Sequence, residues 1–394
     1  MRVLWGACAQ PGSLFPAVPL VSELMRRGHQ VTATASEFGA ADVFRRLGCD
    51  FVPQLRASAV PPLAPPVTRA GKFLWFSALA SAVCLDVTEV LRQRPFDVVL
   101  ADPLEIGVDF AAELTGVPAC SYVHWGIDEV GPDIPFRFHL WDGDERVADA
   151  FARWWNGLRA AVGLPAEARP AAEHRWYRTS QRRTLLLGLP ELVYPKGQLP
   201  PGAVRVGPSL WDPPLDAPLP QWLRTLGAQR PAILASVSTV GNMRDATVLK
   251  AVADAAQALD FELVLTVPVQ HDSLQLPGHL RVTSFLPHNL LLPRVSLFVN
   301  HAGNGAVNRA ACAGVPVLML PTGRDQFQVA QGATAAGLGL SLPPEAADAP
   351  AVIAALTELS NNGRYRRVAQ QLADAATRYD APATSAAEIE ALAH

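Results

Sequence analysis

The residues whose types and spacing are best suited to chemistry lie in one stretch, in the last third of the 394-residue chain. There His301 is followed by Gly303, Asn304 and Gly305, where an apolar run gives way to a helical pattern. A helix N-terminus has unpaired N–H groups and a partial positive charge, and glycines let an anion approach the backbone without a Cβ atom in the way. We therefore predict a diphosphate site at this turn, with His301 as a further donor.

Two polar pairs flank this turn in the sequence. Asp325 and Gln326 lie at the predicted start of a later helix, where the aspartate could serve as a cap. A carboxylate beside an amide also offers the acceptors and donors that sugar hydroxyls need. Ser238 and Thr239 follow a predicted strand, where they could be turn residues or phosphate contacts. The residues alone leave both interpretations open at each pair.

The elements that must position these residues alternate between strand and helix in both halves of the chain. Ser36 is a predicted N-cap, and the proline-rich residues Gln54–Thr68 are a predicted surface loop. The predicted strands are Arg2–Ala7, His29–Ala35, Phe51–Pro53, Asp97–Ala101, Val117–Val123, Ala232–Ser236, Glu262–Val267, Leu280–Thr283 and Leu297–Val299. The predicted helices include Phe15–Arg27, Gly71–Arg94, Glu105–Thr115, Asp245–Leu259 and Asp325–Ala336. This order is typical of parallel, doubly wound α/β sheets.

The length of the chain indicates two domains, because a single core usually holds no more than about 250–300 residues. Prolines and glycines punctuate the stretch from Leu199 to Pro220, which we interpret as the interdomain linker, with boundaries at 208 and 220. An N-terminal domain at 1–207 and a C-terminal domain at 221–378 follow from that position. Because both halves open with strand, turn and helix, the cleft between them is the expected ligand site.

The composition argues against several function classes. A net charge of −3 and a pI near 6.3 are unfavourable for nucleic-acid binding, which needs a basic face. Five cysteines without C-x-x-C spacing predict buried thiols in a reducing cytosol rather than a disulfide framework or a zinc site. The pair Asp142-Gly143-Asp144 follows no clear strand and is more typical of a turn than of a metal site.

No membrane span is expected. The longest charge-free apolar stretch, Phe73–Leu85, is shorter than the ~20 residues that cross a bilayer, and the N-terminus does not resemble a signal peptide. We therefore expect a cytoplasmic protein with small-molecule partners, and a homodimer is compatible with the sequence. No metal or cofactor is invoked, because a helix terminus and its donors can stabilise a leaving diphosphate directly.

The regular alternation breaks between His124 and Arg183, where aromatic and basic residues are interleaved. These aromatic residues either pack in a core or line a pocket for an aromatic or polycyclic molecule, since ligand pockets are mostly apolar. They are Trp125, Phe136, Phe138, Trp141, Trp154, Trp155, Trp176 and Tyr177.

The run from His301 to Gln326, together with Phe285-Leu286-Pro287-His288 before it, resembles the signature of the nucleotide-sugar-dependent glycosyltransferases of the GT-B fold. The resemblance is closest to the antibiotic and natural-product glycosyltransferases of actinomycetes, and it extends more loosely over the N-terminal half. It implies two Rossmann-like, doubly wound domains that face each other across a cleft, with a C-terminal helix (379–394) crossing back to the first domain. It further implies transfer of a (deoxy)sugar, with inversion, from TDP- or UDP-sugar to a hydrophobic aromatic or polyketide acceptor.

The same resemblance assigns roles to individual donor-side residues. Phe285 and Leu286 would lie beside the nucleotide base, the Asp325-Gln326 pair would hold sugar hydroxyls, and Ser238 and Thr239 would occupy the family's small or hydroxyl pair. The chain departs from the family pattern at Ala306, where relatives usually carry Thr or Ser. A hydroxyl donor to the diphosphate is thus missing, and Asn304 or a backbone N–H is expected to replace it.

A second departure concerns the base that deprotonates the acceptor. Ser13 stands where many relatives have a histidine, and a serine is too weak an acid–base to replace imidazole unaided. Asp102 matches the aspartate that partners this histidine. Asp128, Asp133 and His124 also follow N-terminal strands at the predicted cleft, and each aspartate could equally be a solvated loop carboxylate.

Two other functions remain alternatives at this point. An NAD-dependent oxidoreductase would fit the position of Asp325, but Asn308 occupies the third glycine of a G-x-G-x-x-G pattern. A nucleotide-sugar-binding helper protein that lacks a catalytic base would fit Ser13 and Ala306. Binding of NAD without nucleotide-sugar turnover would favour the first, and nucleotide binding without transfer the second.

Overall fold

The computed structural model describes residues 1–36, 40–62, 69–124, 145–167, 183–193, 199, 202–215, 218–236, 244–267, 280–323 and 325–393. Within these ranges the strands form two sheets in which every pairing is parallel. The first half of the chain builds one sheet and the second half builds the other. The predicted fold class, two doubly wound α/β sheets, is confirmed.

The first sheet has the strand order β3-β2-β1-β4-β5-β6-β7. Its strands are β1 (Arg2–Gly6), β2 (Gln30–Ala35), β3 (Asp50–Pro53), β4 (Val98–Ala101), β5 (Ala119–Val123), β6 (Arg183–Leu187) and β7 (Ala203–Gly207). The order reverses between β1 and β4, where Gly6 pairs with Ala101. Ligands of doubly wound sheets bind at the carboxyl edge of such a reversal, and Asp102 is the next residue there.

The second sheet has the order β10-β9-β8-β11-β12-β13. Its strands are β8 (Ala232–Ser236), β9 (Glu262–Thr266), β10 (Arg281–Thr283), β11 (Leu297–Asn300), β12 (Val317–Met319) and β13 (Gly339–Ser341). Here the order reverses between β8 and β11, where Asn300 pairs with Ser236. The polar cluster at 301–305 therefore begins one residue beyond the equivalent edge of this sheet.

Helices cover both faces of each sheet, so the strands carry apolar side chains on both sides. On β1, Val3 and Trp5 belong to one core and Leu4 to another; on β8, Leu234 and Ile233 divide in the same way. The helices are α1 (Pro11–Arg26), α2 (Ala41–Leu47), α3 (Leu55–Ser58), α4 (Arg69–Gln93), α5 (Ile106–Thr115), α6 (Glu145–Ala161), α7 (Arg244–Ala258), α8 (His288–Leu291), α9 (Asn304–Cys312), α10 (Gln326–Ala335), α11 (Ala349–Asn361), α12 (Gly363–Ala376) and α13 (Ala381–Glu390). Strands buried on both faces are the reason that the sequence shows uninterrupted apolar runs.

The last helix, α13, packs against α1, β6 and β7 of the first sheet. Its residues Ala386 and Ile389 are fully buried in the same core as Trp5. Glu390 forms an ion pair with Arg27 (2.8 Å) and a hydrogen bond with His29 (2.7 Å). The C-terminal end of the chain is thus fixed on the first sheet, although it follows the helices of the second.

Several local predictions were wrong for identifiable reasons. Helix α1 begins at Pro11 rather than near Phe15, because proline suits the first turn of a helix. Helix α2 begins after Ala40, so Ser36 is not its cap. The predicted loop after β3 contains α3, and strands β6 and β7 were missed. Strand β7 falls inside the stretch interpreted as linker from Leu199, but it ends at Gly207, where we placed the linker boundary.

Helix α4 is longer than the charge-free apolar stretch Phe73–Leu85 on which the prediction of no membrane span was based. The segment Leu74–Gln93 of α4 is long and apolar enough to cross a bilayer, with a mean hydropathy of 1.6. The helix packs against α3 and α5, and its Asp86 accepts hydrogen bonds from the backbone N–H groups of Arg56 (2.8 Å) and Ala57 (3.0 Å). A buried carboxylate that caps a neighbouring helix is typical of a core helix.

Candidate active site

The turn between β11 and α9 is held by its own residues. The side-chain Oδ1 of Asn300 accepts a hydrogen bond from the backbone N–H of Ala302 (2.8 Å). Ala302 has a φ of +62°, the left-handed region that costs a non-glycine residue about 1–2 kcal/mol. Gly303 then takes the N-cap position of α9 in an extended conformation, and it has no side chain that could cap the helix. The N-terminal N–H groups of α9 thus have no capping side chain, which is the arrangement that binds anions.

Glycine suits the two positions of this turn for different reasons. Gly303 has an ordinary φ of −64°, but a Cβ atom on it would lie 2.7 Å from Nε2 of His301, so the imidazole packs directly over it. A Cβ on Gly305 would meet nothing within 4 Å. Gly303 therefore makes room for His301, whereas Gly305 leaves open space beside the first turn of α9.

The loop before α10 is organised by Gln326. Its side-chain Oε1 accepts hydrogen bonds from the backbone N–H groups of Thr322 (2.7 Å) and Gly323 (3.1 Å), and from the Thr322 hydroxyl (3.2 Å). Gln326 is buried, and Asp325 immediately precedes it at the N-cap position of α10. Its carbonyl oxygen is therefore committed to the loop, and only its amide N–H groups remain as donors to a ligand.

The predicted base-binding residues lie after β10. The Phe285 side chain is 43% exposed, which is unusual for a large apolar residue, while Leu286 is buried in the core of the second sheet. The backbone carbonyl of Phe285 accepts a hydrogen bond from the Thr283 hydroxyl (3.0 Å). An exposed aromatic face at this edge can stack with a nucleobase, which Leu286 cannot.

The first sheet contributes a buried polar cluster at its carboxyl edge. Asp102, directly after β4, and His124, directly after β5, approach each other with 3.4 Å between Oδ2 and Nε2. The other carboxylate oxygen of Asp102 accepts the backbone N–H of Leu104 (2.8 Å). Asp102 is only 1% exposed and His124 9%. The pair has the composition of an imidazole base oriented by a carboxylate.

Neighbouring side chains enclose this pair. Tyr122 hydrogen-bonds to Asp102, and its hydroxyl accepts a bond from the Trp5 indole N–H (3.2 Å). Burial and the Asp102 carboxylate raise the pKa of Tyr122 well above its usual value, so this phenol stays protonated. Burial, and then the charges of Asp102 and Glu105, likewise raise the pKa of Cys8.

Ser13 lies beside this cluster. It is 4% exposed and neighbours the buried Cys8 thiol. Its position within α1, and not in a loop, follows from the early start of that helix at Pro11. The structure therefore brings Ser13, Asp102 and His124 to one place, and only the last two are arranged as an acid–base pair.

Two asparagines of α9 connect the two sheets. Asn304 donates from Nδ2 to the backbone carbonyl of His124 (2.9 Å). The Nδ2 of Asn308 donates to both the backbone carbonyl and Oδ1 of Asn304 (2.9 Å each), and its Oδ1 accepts the backbone N–H of Leu189 (2.6 Å). This pair, which we call the asparagine clamp, holds the start of α9 against the ends of β5 and β6. The uncapped N-terminus of α9 and the Asp102–His124 pair are thus adjacent.

Comparisons of the sequence with known proteins point to glycosyltransferases. The family model for the C-terminal domain of erythromycin biosynthesis protein CIII-like proteins matches residues 250–392. The chain is 29% identical to 4'-demethylrebeccamycin synthase from Lentzea aerocolonigenes, covering 99% of both chains. It is also 29% identical to L-demethylnoviosyl transferase from Streptomyces niveus, covering 99% of this chain and 98% of that protein. The chain is a glycosyltransferase, and these relatives act in natural-product pathways.

Solved glycosyltransferase structures share the fold of this chain. The glycotransferase of kitacinnamycin superposes with a TM-score of 0.80 at 19% identity, covering 100% of this chain and 99% of that one. The glycosyltransferase VinC, solved in complex with DTDP, has a TM-score of 0.70 at 21% identity with the same coverage. The resemblance on residues 285–326 is therefore confirmed, and the relatives' names support a transferase rather than an NAD-dependent oxidoreductase.

Of the two groups predicted to replace the hydroxyl missing at Ala306, Asn304 already has side-chain partners. Its Nδ2 donates to the backbone carbonyl of His124, and its Oδ1 accepts from Asn308. The other predicted replacement, the backbone N–H groups of α9, has no capping side chain. The role of Asn308 could not be recognised from the sequence, where it stood out only as the residue in place of a third glycine.

Other predicted site residues lie outside the described part of the chain. These are Asp128, Asp133, Ser238, Thr239 and the Asp142-Gly143-Asp144 sequence. Of the aromatic residues between His124 and Arg183, the structure describes two. Trp155 is buried against Phe110, and the Trp154 indole donates to Ser77 (2.9 Å), so both serve packing. Among the described residues, no group of three or more His, Cys, Asp or Glu side chains could hold a metal ion.

The cysteines are buried, as the sequence predicted, except at one position. All five cysteines are free, and four of them are buried; Cys312 on α9 is half-buried.

A pH dependence of stability is expected from His288, at the start of α8. Burial, with smaller contributions from Arg309 and His301, lowers its pKa from 6.5 to about 4, and its Nε2 lies 3.3 Å from the Thr266 hydroxyl. The unfolded chain therefore protonates His288 more readily than the folded chain does. The neutral His288 contributes fully to the free energy of unfolding above pH 6.5, and this contribution decreases as the pH falls toward 4. We expect up to about 2 kcal/mol of this loss between pH 6.5 and pH 5.

Urea unfolding of the wild type and of His288→Gln at pH 7.5 and pH 5 measures this contribution. The wild type should lose more free energy of unfolding on acidification than the variant, which has no group that titrates at this position. Equal losses in the two proteins would show that His288 is protonated as readily in the folded chain as in the unfolded one.

Proposed function

We propose that this glycosyltransferase transfers a (deoxy)sugar from a TDP- or UDP-sugar to a hydrophobic, aromatic or polyketide acceptor, with inversion at the anomeric carbon. One observation carries the proposal. The uncapped N-terminus of α9 is hydrogen-bonded through Asn304 to His124, and His124 faces Asp102. The structure therefore has two adjacent sites. One is suited to a leaving diphosphate, and the other is suited to deprotonating an acceptor.

The reaction follows from this arrangement. Asp102 holds the His124 imidazole in the orientation in which it accepts the proton of the acceptor hydroxyl. The acceptor oxygen forms a bond to the anomeric carbon from one face, while the bond from that carbon to the diphosphate oxygen breaks on the other. The nucleoside diphosphate leaves with the electron pair of that bond, and the N–H groups of α9 stabilise its added negative charge. The distance of 3.4 Å is long for a hydrogen bond, but such bonds often shorten only in the substrate complex.

The donor side is supported by the arrangement of the second sheet. The turn at Ala302–Gly305 would hold the diphosphate, the exposed ring of Phe285 would stack with the base, and His301 would add a donor. Asp325 and the amide of Gln326 would bind sugar hydroxyls. VinC binds DTDP on the same fold, which supports a thymidine or uridine diphosphate as the leaving group.

The remaining assignments are part of the same proposal. Residues 1–207 would bind the acceptor and 221–378 the donor, joined by a linker at 208–220, with 379–394 returning to the first domain. Asp128 and Asp133 stay candidates for the base, and Ser238 and Thr239 for phosphate contacts. A cytoplasmic location, a dimeric state and independence from metal ions and further cofactors are expectations to be tested with the purified protein.

Mass spectrometry of products tests the proposed function. The full-length chain is incubated with TDP- and UDP-sugars and a panel of phenolic and polyketide acceptors, with and without EDTA. A product heavier than an acceptor by one sugar residue is expected, and NMR coupling at the anomeric carbon should show inversion. Nucleotide binding without transfer or hydrolysis would contradict the catalytic proposal and favour a helper protein. NAD binding without nucleotide-sugar binding would contradict the donor site itself.

A further inference from the structure

Asn300 ends β11 directly before the turn of the proposed donor site, and no site role was predicted for it. It ends β11 and pairs in register with Ser236 of β8 and Met319 of β12, at the point where the strand order of the second sheet reverses. It is 2% exposed. The side chain therefore lies at the carboxyl edge of the sheet, two residues before Ala302 and four before the start of α9.

The orientation of the Asn300 amide is fixed by the turn. A backbone N–H can only donate, so the atom 2.8 Å from the N–H of Ala302 must be the carbonyl oxygen Oδ1. This hydrogen bond supports Ala302 at its φ of +62°. One end of the amide thus positions the residue that directs the chain into Gly303 and α9.

The other end of the same amide has no acceptor. Its Nδ2 is buried and forms no hydrogen bond within the described ranges of the chain. Leaving a buried N–H donor unsatisfied costs about 1–3 kcal/mol, so native structures rarely retain one without a reason. This donor is four residues from a helix N-terminus that also lacks a capping side chain.

We infer that Asn300 binds the nucleotide sugar: Oδ1 holds Ala302 in the left-handed conformation, and Nδ2 donates to an oxygen of the sugar diphosphate. The inference rests on the proposed function and adds a donor-binding residue to it. It also explains how the chain retains a donor near Ala306, where a hydroxyl is missing. The role in the turn and the role in ligand binding can be tested separately, because they use opposite ends of the Asn300 side chain.

The two roles separate in a small set of variants. Asn300→Ala removes both roles, and Asn300→Asp keeps an acceptor for Ala302 but replaces the donor with a negative charge. Ala302→Gly removes the need for support, because glycine adopts a positive φ without steric cost. The double variant Asn300→Ala/Ala302→Gly therefore lacks only the proposed ligand contact. Melting temperature reports the turn, and calorimetry with TDP and with thymidine reports the diphosphate contact.

We expect Asn300→Ala to lower both the melting temperature and TDP affinity, the latter about 10- to 100-fold. The double variant should recover the melting temperature but not the TDP affinity. Asn300→Asp should bind TDP at least as weakly as Asn300→Ala. Binding of thymidine, which has no phosphate, should stay unchanged in every variant.

Two results would overturn the inference while leaving the proposed function intact. One is recovery of wild-type TDP affinity in the double variant, which would restrict Asn300 to supporting the turn. The other is an equal loss of thymidine and TDP affinity, which would indicate general damage to the domain. If the wild-type chain binds neither TDP nor UDP, the proposed function fails, and the inference fails with it.

Discussion

Asp102→Asn is expected to lower kcat for sugar transfer about 10²- to 10⁴-fold, the usual contribution of a positioned general base, while TDP affinity stays within about twofold. The substitution keeps the shape of the side chain and the oxygen that accepts the N–H of Leu104 (2.8 Å). It removes the charge that orients the His124 imidazole at 3.4 Å and stabilises it once protonated. Steady-state kinetics with saturating TDP-sugar, together with calorimetry, separate the chemical step from donor binding.

Ser13→Ala is the matched control for this experiment. Ser13 stands where the resemblance predicts a histidine, and it is buried beside Cys8. We expect kcat of Ser13→Ala within about threefold of wild type, and His124→Gln to resemble Asp102→Asn. A large loss in Ser13→Ala with a small one in Asp102→Asn would assign proton transfer to α1. Full activity in both Asp102→Asn and His124→Gln would exclude the pair and leave Asp128 and Asp133 as candidates.

Gly305→Ala is expected to weaken TDP binding about 10- to 100-fold and at the same time to stabilise the folded chain slightly. The added methyl meets nothing within 4 Å in the free protein, and alanine in place of glycine favours a helix by about 0.5–1 kcal/mol. A bound diphosphate at the N-terminus of α9 would occupy that open space. The resulting overpacking costs about 1–3 kcal/mol, the basis of the expected loss of affinity. Calorimetry with TDP and a thermal melt measure the two opposite effects.

Gly303→Ala provides the comparison. Its Cβ atom would lie 2.7 Å from the His301 ring, so the imidazole must move even without a ligand. We expect weaker TDP binding together with a lower melting temperature. If Gly305→Ala bound TDP as tightly as the wild type, the diphosphate could not approach the first turn of α9 closely.

The general fold could be predicted because parallel strands covered on both faces leave uninterrupted apolar runs in the sequence. The turn at His301–Gly305 could be predicted for a similar reason, since strand, glycine and helix are close together in the chain. Strands β6 and β7 were missed because Arg183 opens one and Arg205 interrupts the other, and prolines surround β7. A Pro- and Gly-rich stretch can thus contain an edge strand as well as a linker.

The contacts that complete the candidate site could not be predicted, because they join distant parts of the chain. Asn304 and His124 are 180 residues apart, and Asn308 and Leu189 are 119 residues apart. No local pattern indicates that α9 reaches the ends of β5 and β6. The burial of Ser13 beside Cys8 depends in the same way on the early start of α1. The sequence could name candidates for the base, but only the packing of the two sheets brings Asp102 and His124 together.

A crystal structure of the full-length chain with TDP tests the central claim most directly. We predict that the diphosphate oxygens lie within hydrogen-bond distance of the backbone N–H groups at Asn304 and Gly305, with the base against Phe285. A diphosphate bound at the first sheet, for example at the start of α1 near Pro11, or anywhere away from α9, would contradict both the proposed donor site and the mechanism built on it.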